Sequence, residues 1–194
     1  MKKAFLLTLL LAGGIFLWAQ EGPKGLAVNS MAPDFKAADQ HGKSISLSAQ
    51  LKKGPVVLVF YRGQWCPYCN KELKALEDSM MLLTAKGASL IAVSPEKQEN
   101  ITKTIEKTKA DFPILHDDGL TIMKNYDVAY TVDDAMLEKY KKYGIDFTVA
   151  NGDNGAHLPV PAVYVISQEG KIVYRYFEPD YRKRPSVAEI SSHL

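Results

Sequence analysis

Apolar positions along the chain fall into unbroken runs and helical repeats. From Pro55 to Tyr61 the residues Val56, Val57, Leu58, Val59 and Phe60 follow one another without a polar break. A run of that kind marks a strand covered on both faces, hence a central one. Ser89 to Ser94 has the same character and predicts a second buried strand. Between them Pro67 suits a first helical position, Leu73, Leu76, Met80 and Leu83 recur at helical spacing, and Gly87 ends the segment. The expectation is one helix from about Pro67 to Lys86. Glu96 to Lys109 predicts a charged helix with Ile101 and Ile105 on one face and a solvated Lys/Glu surface on the other.

Weaker signals complete the series. Alternation at Asp34 to Ala37 and again at Ser44 to Leu47, across Gly42, predicts a short hairpin. Pro113 to His116 reads as a short strand, followed by a helical turn near Leu120 to Asn125. Asp133 and Asp134 cap a helix that runs to Tyr143 and stops at Gly144; its tyrosines and lysines read as an ordinary amphipathic face. Asn151 to His157 reads as a loop. Ala162 to Ile166 and Ile172 to Phe177 flank Gln168 to Lys171 as an antiparallel hairpin, and Pro185 to Leu194 predicts a last helix. The order β-α-β-α followed by a hairpin argues for an α/β fold, a central mixed sheet flanked by helices with an N-terminal β-hairpin extension. One domain spans 31–194, preceded by a Gly-containing linker at 20–30.

The first nineteen residues have a different character. Lys2 and Lys3 precede an apolar stretch from Ala4 to Trp18 that ends in Ala19. That is the basic, apolar, small-residue order of a secretory signal peptide, and Thr8, Gly13 and Gly14 interrupt it short of the ~20 residues of a membrane span. The expected mature protein is exported, periplasmic or extracellular, with no stable membrane anchor after cleavage. The formal net charge of +2 is supplied by Lys2 and Lys3, so nothing in the charge balance points to nucleic acid.

The chain has two cysteines, Cys66 and Cys69, placed where a buried strand turns into a helix. Unpaired backbone N–H groups at the helix start favour a thiolate on the first sulfur, which makes Cys66 the candidate nucleophile. Cys69, one turn inside, is close enough to attack a mixed disulfide or sulfenic acid on Cys66 and is the candidate resolving thiol. Two other readings exist. A ring this small constrains little of the unfolded chain, which disfavours a purely structural disulfide. A zinc half-site needs further ligands, whereas there is no second CxxC and His41, His116, His157 and His193 are scattered. No cofactor or metal is expected. Arg62 in the turn is either a stabiliser of developing negative charge or a solvated side chain. Glu72, one turn after Cys69, is either that thiol's proton acceptor or a surface carboxylate, and Trp65 either shields the sulfur or simply packs.

The segment Phe60-Tyr61-Arg62-Gly63-Gln64-Trp65-Cys66-Pro67-Tyr68-Cys69, with Ala32-Pro33-Asp34-Phe35 upstream and Leu158-Pro159-Val160-Pro161-Ala162 downstream, resembles the peroxiredoxin-like AhpC/TSA branch of the thioredoxin superfamily. The resemblance covers the chain from about Ala27 onward. It implies a thioredoxin-like fold and thiol-dependent reduction of peroxides or disulfides. Pro161 matches the proline that is cis in thioredoxin folds, so the resemblance implies a cis Val160–Pro161 bond facing Cys66, with Val160 and Trp65 binding substrate. Typical peroxiredoxins carry Thr or Ser three residues before the nucleophile and Pro seven before it, where this chain has Gly63 and Val59. The sequence therefore resembles a peroxiredoxin scaffold bearing a thioredoxin-type turn.

Three functions follow as expectations: a thiol peroxidase that takes hydroperoxides and is recycled by a thioredoxin-like reductant, a reductase of protein disulfides, or a binding module that only keeps the fold. The expected mature N-terminus lies near Gln20. Intact-mass measurement on protein from the native host checks it, and a chain still beginning at Met1 would refute it.

Overall fold

The computed structural model describes residues 22–194; the segment read as a signal peptide lies outside the described residues. The strands are β1 (Lys36–Ala38), β2 (Ser44–Ser46), β3 (Val56–Phe60), β4 (Ser89–Ser94), β5 (Ile114–His116), β6 (Ala129–Thr131), β7 (His157–Pro159), β8 (Ala162–Ile166) and β9 (Ile172–Phe177). The helices are α1 (Leu47–Leu51), α2 (Pro67–Asp78), α3 (Met80–Thr84), α4 (Gln98–Thr108), α5 (Thr121–Asn125), α6 (Asp134–Lys142), α7 (Phe147–Asn151) and α8 (Val187–Ser192). Among them no helix is long and apolar enough to cross a membrane.

The central sheet has the order β5-β4-β3-β8-β9. Strands β3, β4 and β5 run parallel, while β8 and β9 are antiparallel additions on the other side of β3. Alternate residues of β3 serve two cores. Val57, Val59 and Tyr61 face a cluster that includes Leu73 and Leu76 of α2 and Ile101 of α4. Val56, Leu58 and Phe60 face Leu47, Ile122, Met123 and Tyr126 on the opposite side. Burial on both faces is the physical reason that this strand contains no polar residue. The hairpin β1–β2 extends the N-terminal side, in the register Lys36 opposite Ser46. Residues 22–30, read from composition as a linker, lie along the fold: the N–H of Gly25 donates to the Asp127 carbonyl and that of Asn29 to the Ile172 carbonyl, each at 2.8 Å.

Three elements differ from the sequence expectation. The helix from Pro67 breaks at Ser79 (φ −112°, ψ 12°). The break lets Leu83 of α3 reach the core while Met81 and Leu82 face outward. Second, Glu96 belongs to no helix; α4 starts at Gln98, and Glu96 is fully buried. Third, the stretch around Asn151 to His157 is not all loop. It begins at the end of α7 and continues into β7, which pairs antiparallel with β6.

Leu58 has no exposed surface at the middle of β3. Leu58→Ala is expected to cost about 2–5 kcal/mol, as a lowered urea midpoint with an unchanged denaturant slope.

Candidate active site

Strand β3 leads directly to the chemical centre. Tyr61 still pairs with β4, its N–H donating to the Val93 carbonyl at 3.1 Å, and the chain then leaves the sheet through Arg62 to Trp65. Pro67 opens α2, where the missing N–H costs nothing, and Cys66 is its N-cap (φ −88°, ψ 108°). The Cys66 sulfur accepts the N–H of Cys69 at 3.3 Å, so a helix-start donor does point at it. Cys66 and Cys69 are joined in a disulfide with Cα atoms 5.3 Å apart, and both are completely buried. The turn is clamped from several sides. The Cys66 N–H donates to the Gly63 carbonyl at 3.0 Å, and the Asn70 amide and the Lys107 ammonium donate to the Gln64 carbonyl at 2.8 and 2.9 Å.

Glu96, expected on a solvated helix, instead lies behind this turn. Its Oε2 accepts the Gln64 N–H at 2.8 Å, while its Oε1 has no hydrogen-bond partner among the described residues. Burial pushes the Glu96 carboxyl up to about 8, against the Gln64 N–H and the charges of Lys107 and Lys103 that pull it down. Glu96 also explains Gly63. This residue has φ +152°, and a Cβ there would come within 2.6 Å of both Glu96 Oε1 and the indole nitrogen of Trp65. Only glycine fits without displacing the carboxyl.

Arg62 is buried among aromatic rings, not solvated. Its guanidinium lies 3.8 Å from the ring centre of Tyr181, 4.9 Å from that of Trp65 and 6.0 Å from that of Tyr140. Trp65 meets Tyr140 and Phe147 edge to face at 5.4 and 5.8 Å. A cavity of about 490 Å³ opens here, lined by Arg62, Trp65, Pro67, Tyr68, Lys139 and Tyr181 among others.

Glu72 is likewise not a surface carboxylate. Its Oε2 accepts from Arg184 Nε at 2.6 Å with both side chains largely buried, and the same guanidinium donates through Nη2 to the Cys69 sulfur at 3.4 Å. Burial pushes the Glu72 carboxyl up to about 7, opposed by the Arg184 charge.

The Val160–Pro161 bond corrects one expectation, since among the described residues no peptide bond is cis. The chain before it is held extended by β6: the Val160 N–H donates to the Val128 carbonyl at 2.8 Å, directly after the β6–β7 ladder. The Pro161 carbonyl accepts the N–H of Glu178 at 3.2 Å. The backbone edge expected to receive a substrate strand is therefore paired within the chain itself.

Five of the residues singled out from sequence, Arg62, Trp65, Cys66, Cys69 and Glu72, sit on one turn and the first two turns of α2. Val160 and Pro161 make their bonds with Val128 and Glu178. Sequence reasoning passed over Glu96, Tyr140, Tyr181 and Arg184. Glu96 carried one signal, an acid just past the end of a buried parallel strand, where α/β sites gather. Arg184 carried none: its neighbours Arg182 and Lys183 form exposed ion pairs with Asp180 and Glu178, and nothing in Arg-Lys-Arg marks which one turns inward.

The model of the AhpC/TSA family matches residues 28–175. Among curated proteins the chain is 29% identical over 154 residues to the chloroplastic peroxiredoxin Q of Oryza sativa subsp. japonica, covering 78% of this chain and 60% of that protein, so the chain spans less than two thirds of that relative. It is 28% identical over 163 residues to the thiol-disulfide oxidoreductase ResA of Geobacillus thermodenitrificans, covering 81% of this chain and 92% of that one. Among solved structures, peroxidoxin BcpB from Mycobacterium tuberculosis superposes with a TM-score of 0.62 at 23% identity, over 81% of this chain and 86% of that one, and shares the fold.

The buried Glu96 generates a pH dependence. Between its ordinary value of 4.5 and about 8 the folded chain holds a proton that the unfolded chain has released. Stability attributable to Glu96 is then present below about pH 4.5 and falls as pH rises to about 8, by an amount of the order of 5 kcal/mol. Glu96→Gln keeps the acceptor for Gln64 and removes the titration. Urea unfolding across this window is expected to show a shallower decline for the variant than for wild type.

Proposed function

The chain belongs to the AhpC/TSA family, and from that membership we propose that it is an exported thiol peroxidase in which Cys66 reduces hydroperoxides and Cys69 resolves the product. One observation carries the choice of substrate. The Val160 N–H, on the edge that a peptide would need, is already taken by the Val128 carbonyl, and a cavity of about 490 Å³ lined by Arg62, Trp65 and Pro67 opens beside the turn that carries both buried sulfurs. That arrangement favours a small oxidant over a folded protein's disulfide.

The Cys66 thiolate attacks one peroxide oxygen. An S–O bond forms, the O–O bond breaks, and the leaving oxygen takes up from solvent the proton that the Cys66 thiol released on ionising, departing as alcohol or water. Arg62, the buried cation lining the cavity, meets the negative charge that develops on that oxygen. Cys69 then gives its proton to Glu72, and its sulfur attacks the sulfenic sulfur of Cys66; the S–S bond forms, and the oxygen leaves as water. A thioredoxin-like dithiol returns two electrons to the disulfide. Gly63 places no hydroxyl where typical peroxiredoxins have Thr or Ser, because Glu96 fills that space. Positioning of the peroxide accordingly falls to Arg62 and to the backbone N–H groups at the helix start.

A second reading, reduction of protein disulfides, draws on the CxxC turn itself and on the likeness to ResA. The two are separated by comparing the initial rate of hydrogen peroxide consumption with that of insulin disulfide reduction. Cys66→Ser is expected to abolish peroxide turnover. Cys69→Ser is expected to react once and stop, and mass spectrometry after one equivalent of peroxide should place a single oxygen adduct on Cys66. An unmodified Cys66 that nevertheless traps protein disulfides would shift the assignment to the reductase.

A further inference from the structure

The C-terminal segment between β9 and α8 closes over the start of α2. Tyr181 stacks over Arg62 and meets Tyr68 edge to face, with ring centres 5.9 Å apart. Three residues later Arg184 turns inward and becomes fully engaged. Its Nε binds Glu72, its Nη1 donates to the carbonyls of Tyr181 and Lys183 at 2.6 Å, and its Nη2 is left for the Cys69 sulfur. The Arg184 side chain is 12% exposed and that of Glu72 is 4% exposed, so the ion pair and the sulfur share a largely dry site. Cys66 receives a helix-start N–H; Cys69, a turn further in, receives this guanidinium instead.

We propose that Arg184 is a catalytic residue that stabilises the Cys69 sulfur as a thiolate, both when it attacks and when it leaves. In the resolving step, which rests on the peroxidase reading, Cys69 loses its proton to Glu72 and its electron pair forms the S–S bond as the S–O bond of the sulfenic acid breaks. Cys69 is oxidised, the sulfenic sulfur is reduced, and the oxygen departs as water with the proton that Glu72 held. In the reducing step a thiolate of an external dithiol attacks Cys66. The S–S bond breaks and its electron pair remains on Cys69 beside Arg184 until a proton arrives through Glu72. This second role holds whichever substrate the enzyme takes. In the resolving step Glu72 becomes neutral as Cys69 ionises, so one negative charge is shared between them, and in both steps the guanidinium has a counter-ion. Tyr176 on β9 lies within electrostatic range of both Arg184 and Glu72, and Cys66, the N-cap of α2, is bonded to Cys69 itself.

The test uses the full mature chain. In a Cys66→Ser background the ultraviolet absorbance of the thiolate reports Cys69 directly. Arg184→Met is expected to raise the Cys69 pKa by about 1–2, and Arg184→Lys to restore part of the change. Glu72→Gln, which frees the guanidinium from its carboxylate, is expected to move it the opposite way. With both cysteines present, Arg184→Met should slow disulfide formation after a peroxide pulse roughly tenfold at neutral pH, with wild-type and variant rates converging at alkaline pH. It should also lower the reduction potential of the couple, by about 30 mV for each tenfold change in equilibrium. An unchanged Cys69 pKa in Arg184→Met, or a rate loss equal at every pH, would overturn the proposal. If Arg184→Met does not fold, the opposite displacements expected of Arg184→Lys and Glu72→Gln decide in its place, and equal signs refute it. Absence of a sulfenic acid would defeat the peroxidase reading alone, because the thiolate titration and the potential need no peroxide.

Discussion

Everything at this site depends on where β3 is forced to end. Five residues buried on both faces, paired with β4 on one side and β8 on the other, leave no freedom to slide, because a slip of one residue would exchange the two cores. The chain must therefore leave the sheet at Tyr61 and start its helix a few residues later. The two sulfurs inherit their position from that constraint, and the polar groups around them are arranged to hold a turn that the sheet has already located.

Holding the turn requires buried charge. Glu96 grips the Gln64 N–H from the end of β4, and Lys107 grips the Gln64 carbonyl from α4. Both elements come from the β-α-β unit that follows, so the neighbouring strand and helix fix the geometry of the reactive loop. An isolated carboxylate in such a place would be costly, and the Glu96 carboxyl answers by holding its proton to higher pH. Glycine at position 63 is part of the same solution.

The central strand, its two-sided core and the position of Cys66 and Cys69 were legible because they rest on periodicity and on covalent spacing. Leu73 and Leu76 announce a helix wherever they occur at that interval, and Pro67 announces its start. The residues that surround the sulfurs were legible only in part. Glu72 could be placed one turn from Cys69, yet its burial is decided by Arg184, more than a hundred positions away. Glu96 looked like one more charge in a charged helix, and its fate follows from Pro95 and a helix that begins two residues later. The pairing of Val160 depended on the segment from Val128 to Thr131, too short to leave a periodic trace. Local pattern carries local structure, whereas long-range polar pairing is written at both ends and at neither alone.

The pairing of β6 with β7 and Val160 has a kinetic meaning. Under the proposed reading, the chain carries its own strand segment on the edge that a docking peptide would use. A partner that must occupy this edge has to wait until Val128 to Thr131 lets go, so its turnover would level off with partner concentration at the frequency of that release. A small oxidant, under the proposed reading, does not need that edge and has only to reach the buried sulfurs.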